Sequence, residues 1–225
     1  MFKTELHCHS SEASPCSTES AQSLVEIYTK AGYDTIVLTN HFCPDVYNLK
    51  GFKNIGEYVD YFMAAANKMK ETAKGKLDVI IGVEIRFKYN GNDYLLFGDF
   101  EDYIRNTPEI FDFSPSQFYE ICNQKGWLLI QAHPFRNNIT VSNPAFLHGI
   151  EVYNGHIGHP ERNFIAEMWA NEYPHLIKTS GTDLHYAYVP ATGGILTEEK
   201  ITSMEQLVNV LKSGSYTLLK SDEVR

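Results

Sequence analysis

Residues 35–41 read Thr35-Ile36-Val37-Leu38-Thr39-Asn40-His41, a β-branched apolar run that ends on a histidine. Such residues fit a pleated, buried surface, so the run predicts a strand. Upstream, Thr18 to Ser20 offers hydroxyl caps, and Leu24, Ile27, Tyr28 and Ala31 recur at helical spacing before Gly32 stops the helix. Further upstream, Thr4 to His9 is a second strand-like run, with His7 and His9 at its end. The unit is strand, helix, strand, with imidazoles where the strands finish.

The alternation continues. Ile55 to Ala73 is a long amphipathic helix, and Leu77 to Phe87 is a strand with an apolar centre. Asn90-Gly91 is a turn signal, and Tyr94 to Phe97 returns as a hairpin partner. Pro115 to Gln124 and Glu161 to Glu172 predict helices, while Trp127 to Gln131, Gly149 to Tyr153 and Leu176 to Ser180 predict strands. Met204 to Leu211 is the last expected helix and Tyr216 to Leu219 the last expected strand. Pro44, Asp45, Asn48 and Gly51 predict a loop over 43–53. Alternating strands and helices without a glycine-rich phosphate loop predict an α/β fold with a mostly parallel sheet, wound as a barrel of about seven or eight strands.

The 225 residues are expected to form one domain over 1–225. Hydrophobic residues are 43% and charged residues 21%, which excludes a disordered chain. Lys and Arg total 19 against 28 Asp and Glu, a net charge of −9. That sign argues against a nucleic-acid polymer as partner and leaves a local basic pocket open, and a pocket within one domain suits a small phosphorylated substrate. The first residues lack an apolar signal core, and no apolar run approaches the roughly 18 residues a membrane span needs. The four cysteines form no CxxC pair, which is the pattern of reduced thiols in a cytoplasmic protein.

Five of the nine histidines and two carboxylates fall at strand ends. His7 and His9 follow the first strand and His41 the second. Glu84 lies near the end of Val79–Val83, His133 follows Trp127 to Gln131, and Asp183 with His185 follows Leu176 to Ser180. In an α/β barrel these ends share one face. Residues i and i+2 of a strand point to one side, so His7 and His9 can hold one ion, and Asp183 and His185 repeat the spacing. A carboxylate buried among apolar residues, as Glu84 is expected to be, is costly unless a cation neutralises it. Seven donors exceed what one ion takes and suit two. Paired ions about 3.5–4 Å apart are the usual apparatus of phosphate-ester hydrolysis, in which an ion-activated water is the nucleophile. Arg86 and Arg136 could clamp a phosphate. Each feature alone has a plainer reading: two surface histidines, an edge carboxylate, a helix cap. His148, His159 and His175 read as surface, and His156 stays open as a residue of the site's mouth.

The segments Glu-Leu-His7-Cys-His9-Ser, Leu-Thr-Asn-His41, Gly-Val-Glu84-Ile, Ala-His133-Pro-Phe-Arg136, Glu151-Val-Tyr-Asn154 and Gly-Thr-Asp183-Leu-His185 together resemble the polymerase and histidinol phosphatase (PHP) family. They stand in the family's order and span residues 5 to 185. The resemblance implies a distorted (β/α)7 barrel with the metal site at the C-terminal ends of the strands and two or three divalent ions (zinc, manganese or iron). It implies that His7, His9, Glu84 and Asp183 hold one ion, and that Glu84 and His133 hold a second. His41 and His185 would serve a third position or the phosphate, with proton transfer as their catalytic role, and Asn154 would line the substrate site with the two arginines. Where the family carries an Asp or His after the first histidine, this chain has Ser14 and Pro15, with Glu12 and Cys16 as nearest substitutes. A further family histidine is missing, with Asp93 nearby. The expected activity is a metal-dependent phosphomonoesterase. Two alternatives stay open: an amidohydrolase-type hydrolase, which also places HxH on a first barrel strand, and a non-catalytic PHP-like binding module.

Overall fold

A computed structural model describes residues 1–221. Its strands are β1 (Phe2–Cys8), β2 (Thr35–Leu38), β3 (His41–Phe42), β4 (Asp78–Ile81), β5 (Val83–Arg86), β6 (Asp93–Phe97), β7 (Leu128–Gln131), β8 (Gly149–Asn154), β9 (Ile177–Gly181), β10 (Ile195–Thr197) and β11 (Thr217–Leu218). The helices are α1 (Ala21–Lys30), α2 (Pro44–Lys50), α3 (Ile55–Ala73), α4 (Glu101–Arg105), α5 (Pro115–Lys125), α6 (Asn163–Asn171) and α7 (Met204–Ser213).

The α/β alternation is as expected, but the closed seven-stranded barrel is not formed. The strands make two open sheets, ordered β11-β10-β1-β2-β4 and β3-β5-β6-β7-β8-β9. The expected single strand from Leu77 to Phe87 is two strands, because the chain leaves the first sheet at Gly82 and enters the second. A Cβ there would lie 3.0 Å from Val37 and 3.2 Å from Thr39, so the crossing is tightly packed and a side chain would push those neighbours back by a few tenths of an ångström. β6 runs antiparallel to both β5 and β7, and β10 antiparallel to β1, so the sheets are mixed rather than mostly parallel. The segment directly after β9 joins β1 through an isolated bridge between Cys8 and Leu184 and the hydrogen bond from Asp183 N–H to His7 C=O at 2.8 Å, while β9 and β1 themselves lie in different sheets.

The expected loop over 43–53 contains helix α2. Its turn formers act as helix signals: Pro44 at the first position, Asp45 in the first turn, and Gly51 as a left-handed cap at φ 69°. Ser20 caps α1 and Asn54 caps α3 through side-chain oxygens that accept backbone N–H groups. Apolar faces of α1 and α3 pack with β2 around Tyr28, Leu38 and Met69, and a second cluster around Phe42, Tyr58 and Phe118 fills the other side. The C-terminal ends of β1 and β8, with the segments after β7 and β9, carry the polar cluster described next.

Candidate metal centre

Alternation along β1 turns His7 and His9 to one side and Cys8 into the core beside Tyr28. The two Nε2 atoms stand 3.0 Å apart. His7 Nδ1 lies 2.9 Å from Glu151 Oε1, and His9 Nδ1 lies 3.3 Å from Ser14 Oγ. A histidine that donates its Nδ1 proton to such a partner presents an Nε2 lone pair to a cation. Assigned from these partners, both tautomers aim lone pairs at one point.

Carboxylates close around that point. Asp183 Oδ1 is 3.4 Å from His7 Nε2 and 3.1 Å from His9 Nε2. Glu84 Oε1 lies 3.3 Å from His7 and 3.0 Å from His133, while its Oε2 lies 3.4 Å from His9 and 2.7 Å from His41. One carboxylate thus meets four imidazoles, two at each oxygen, as a bridging group would. His9, His41 and His185 bring ligand atoms within 4.8 Å of one another, as do His41, Glu84 and Asp93.

Two of these atoms test whether a cation fits. Glu84 Oε2 and His41 Nδ1 are buried and have no hydrogen-bond partner among the described residues. They are close but misaligned for a bond to each other. Their 2.7 Å contact leaves the hydrogen-bonding capacity of both atoms unfilled, and coordination to divalent ions would fill it. The residues fit the metal ions that the motif pattern implies.

The local field agrees. Burial works against charge on His7, yet Asp183, Glu151 and Glu84 hold its imidazole well above the usual value. His41 is raised in the same way against burial, chiefly by Glu84. His9 moves the other way, to about 3, because it is buried and faces positive His41. Burial opposes ionisation of Glu84 and Asp183, but the imidazoles, with Arg136 beside Asp183, hold both well below the carboxylate range.

Backbone geometry is unusual here. Asp183 has φ 52° and His133 φ 29°, and positive φ at a non-glycine residue costs about 1–3 kcal/mol. At Gly181 a Cβ would sit 2.3 Å from His7 Cβ and 2.6 Å from Glu151 Oε1, so only glycine lets Glu151 reach His7.

The other expected site residues divide. Arg136 donates from Nε to Glu161 at 2.9 Å and from Nη2 to Asp183 at 2.7 Å. Arg86 grips Asp93 with two bonds of 2.7 Å and reaches Asp45 at 3.0 Å. Both arginines line a cavity of about 230 Å³ over Glu84, His133, Asp183 and His185. Asn154 is buried instead of lining that cavity. Its amide donates to Glu151 and Asp183 at 2.9 and 3.2 Å and accepts from Arg136 and the His156 N–H at 3.3 and 2.9 Å, so it positions the donors and has no group left for substrate. Glu12 lies outside the cluster, because its carboxylate accepts the Ala21 N–H at the start of α1 and pairs with Lys68 at 2.9 Å. Cys16 is at the cavity, with Sγ 3.2 Å from His185 Nε2. Burial alone would raise its thiol, but hydrogen bonding to His185 and His41 brings it down to about 6. His156 is buried at the cavity and stacks on His185 at 4.9 Å. His159 is exposed but also lines the cavity, while His148 is half-buried and accepts the Leu129 N–H at Nδ1.

Sequence reasoning missed the residues that hold the donors. Glu151 supports His7 and accepts the His133 N–H at 2.9 Å. Glu5 accepts from the N–H groups of His7 and Thr182 at 3.0 and 2.9 Å, tying β1 to the segment that carries Asp183. Both are acids embedded in apolar strands, the signal that singled out Glu84.

The PHP domain model matches residues 5–215. The chain belongs to the PHP family. Comparison with curated proteins gave no match. Among solved structures, a two-domain protein from Bacteroides vulgatus ATCC 8482, described as containing a predicted PHP-like metal-dependent phosphoesterase, is 18% identical with TM-score 0.64. The alignment covers 97% of this chain and 64% of that one, so this PHP chain spans under two-thirds of that relative. PsfC from Pseudomonas syringae PB-5123 is 13% identical with TM-score 0.67, covering 98% and 92% of the two chains. An endonuclease Q bound to a 27-mer duplex with an abasic lesion at its active site is 12% identical with TM-score 0.62, covering 94% and 56%.

That last neighbour corrects the partner expectation drawn from charge. The same fold serves a protein whose substrate is a DNA duplex, so a net charge of −9 neither excludes a nucleic acid nor selects a small substrate. No helix among the described residues is long and apolar enough to cross a membrane.

Proposed function

We propose that this PHP chain is a metal-dependent phosphoesterase that cleaves phosphomonoesters. The observation that supports it most is Glu84, whose two oxygens each meet two imidazoles at one end of a cavity that two arginines line. His7, His9, Glu84 and Asp183 would hold one ion and Glu84, His133 and Asp93 or His41 a second. When bound, divalent ions supply charge that polarises phosphoryl oxygens and acidifies water.

The chain's own groups do the rest. Arg136 spends Nε and Nη2 on Glu161, Asn154 and Asp183, and its Nη1 is the nitrogen that would serve a phosphoryl oxygen in the cavity it lines. Arg86, locked on Asp93, holds a guanidinium in the same cavity lining. Burial opposes charge on His185, but Asp183 raises its pKa above the usual imidazole value. Its place at the cavity suits protonation of the leaving oxygen. His41, with Nδ1 against Glu84, sits with the cation donors.

Phosphate release should be measured with manganese, zinc or iron(II) on sugar phosphates, nucleotides and 5′-phosphorylated oligonucleotides, beside abasic duplexes, amides and lactones. Metal-dependent release from monoesters is the expected result. Turnover of amides or lactones alone would replace the proposal with an amidohydrolase, and no metal-dependent turnover of any monoester would refute it.

A further inference from the structure

We infer that Tyr186 and Tyr188 form a stacking platform for a planar aromatic ring, such as a nucleobase, carried on the phosphoester. This rests on the phosphoesterase reading and names the class of group attached to the phosphate. Tyr186 lines the cavity over the metal donors, next to His185. The Tyr188 ring lies nearly parallel to it, 14° between planes and 5.5 Å between centroids, and is 73% exposed. The Tyr186 ring in turn meets the His156 ring at 6.4 Å, and His156 stacks on His185. A series of rings therefore leads from the donors out to solvent.

The loop that presents these rings is pinned. The Ala187 N–H donates to Glu19 at 2.8 Å, the Val189 N–H donates to the Tyr186 carbonyl at 3.0 Å, and Val189 is 2% exposed. A backbone held in place before a ligand arrives loses little entropy when its two rings bind one.

Size places the ring outside. Sites that enclose a whole drug-sized ligand run to roughly 300–1,000 Å³. The cavity here is about 230 Å³, enough for a phosphoryl group and its first attached atoms. A ring system joined to that phosphate must lie over the mouth, where the Tyr pair stands. Base–aromatic stacking of about 1–3 kcal/mol corresponds to roughly 5- to 150-fold in affinity.

The test is equilibrium binding to the full, metal-loaded chain, with methylenephosphonates that cannot be hydrolysed. The analogue of adenosine 5′-monophosphate is compared with that of ribose 5-phosphate. The adenosine analogue should bind roughly 5- to 150-fold tighter. Tyr188→Ala should reduce the difference to within about twofold and leave the ribose analogue unchanged, and Tyr188→Phe should preserve it. Equal binding of the two analogues to the wild-type chain, or a preference that survives Tyr188→Ala, would overturn the inference while leaving the phosphoesterase reading intact. If neither analogue nor inorganic phosphate binds, both fall. A 5′-terminal phosphonate on a short oligonucleotide distinguishes the source of the base: binding tighter than the mononucleotide marks a nucleic-acid end, and equal or weaker binding a free nucleotide, and either supports a ring on the platform.

Discussion

Glu151→Gln tests the supports of the centre rather than its ligands. Glu151 Oε1 faces His7 Nδ1 at 2.9 Å, while Oε2 accepts the His133 N–H and the Asn154 amide, each at 2.9 Å. The carboxylate meets three donors. Glutamine keeps the shape but has one acceptor and one donor. If its NH2 faces His7, Nδ1 must accept, the ring proton moves to Nε2, and the lone pair aimed at the cation is lost. If it is flipped, the NH2 confronts the His133 N–H and the Asn154 NH2, both donors. Loss of such an outer partner typically weakens metal binding 10- to 100-fold, or about 1.4–2.8 kcal/mol. Competition with a chromophoric chelator for zinc or manganese reads this directly, with circular dichroism to check that the fold is kept. A Kd within twofold of wild type in a folded variant would refute the claim that Glu151 sets the His7 tautomer.

Glu84→Gln should abolish metal-dependent turnover while the variant stays folded, because each carboxylate oxygen meets two imidazoles; a near-normal rate on the best phosphoester would contradict the bridging role. Carboxylates push the pKa values of His7 and His41 above the usual imidazole value, so protons compete with a cation for both rings. Calorimetric titration in buffers of different ionisation enthalpy should show at least about one proton released per cation and affinity falling with pH, and binding without proton release would contradict it. Far from the cavity, His148 Nδ1 accepts the Leu129 N–H, and burial first and Lys212 second lower its pKa to about 4. A depressed pKa gives stability that is complete above the unfolded value near 6.5 and lost as pH falls toward 4. His148→Asn keeps an acceptor at any pH, so its melting temperature should fall less than wild type's over that window, and parallel profiles would contradict the assignment.

The donors were legible because strand alternation and strand ends are local properties. His7 and His9 on one side, with Cys8 on the other, follow from period-two geometry. Ile55 to Ala73 and the Tyr94 hairpin return were equally plain. The open sheets were not legible. The chain changes sheets at Gly82, which reads as an ordinary residue of an apolar run until Val37 and Thr39 are seen against it. Antiparallel β10 is three residues long, too short for a pattern to declare it. The segment 43–53 reads as a loop yet holds α2, because Pro, Asp and Gly cap short helices as readily as they make turns. Glu12 was proposed by position along the chain, but the free N–H at Ala21 claims it. Glu151 and Glu5 required the same question asked of Glu84, what neutralises or satisfies a buried acid. Net charge misled about partners because it averages over the whole surface, whereas binding is decided at one cavity.

Metal content of the purified, reconstituted chain, by elemental mass spectrometry after removal of loosely held ions, bears most directly on the shared cation cluster. The expected result is about two or more divalent ions per wild-type chain, falling to about one or fewer in Glu84→Gln. Less than one ion per wild-type chain, or a content that Glu84→Gln leaves unchanged, would contradict it.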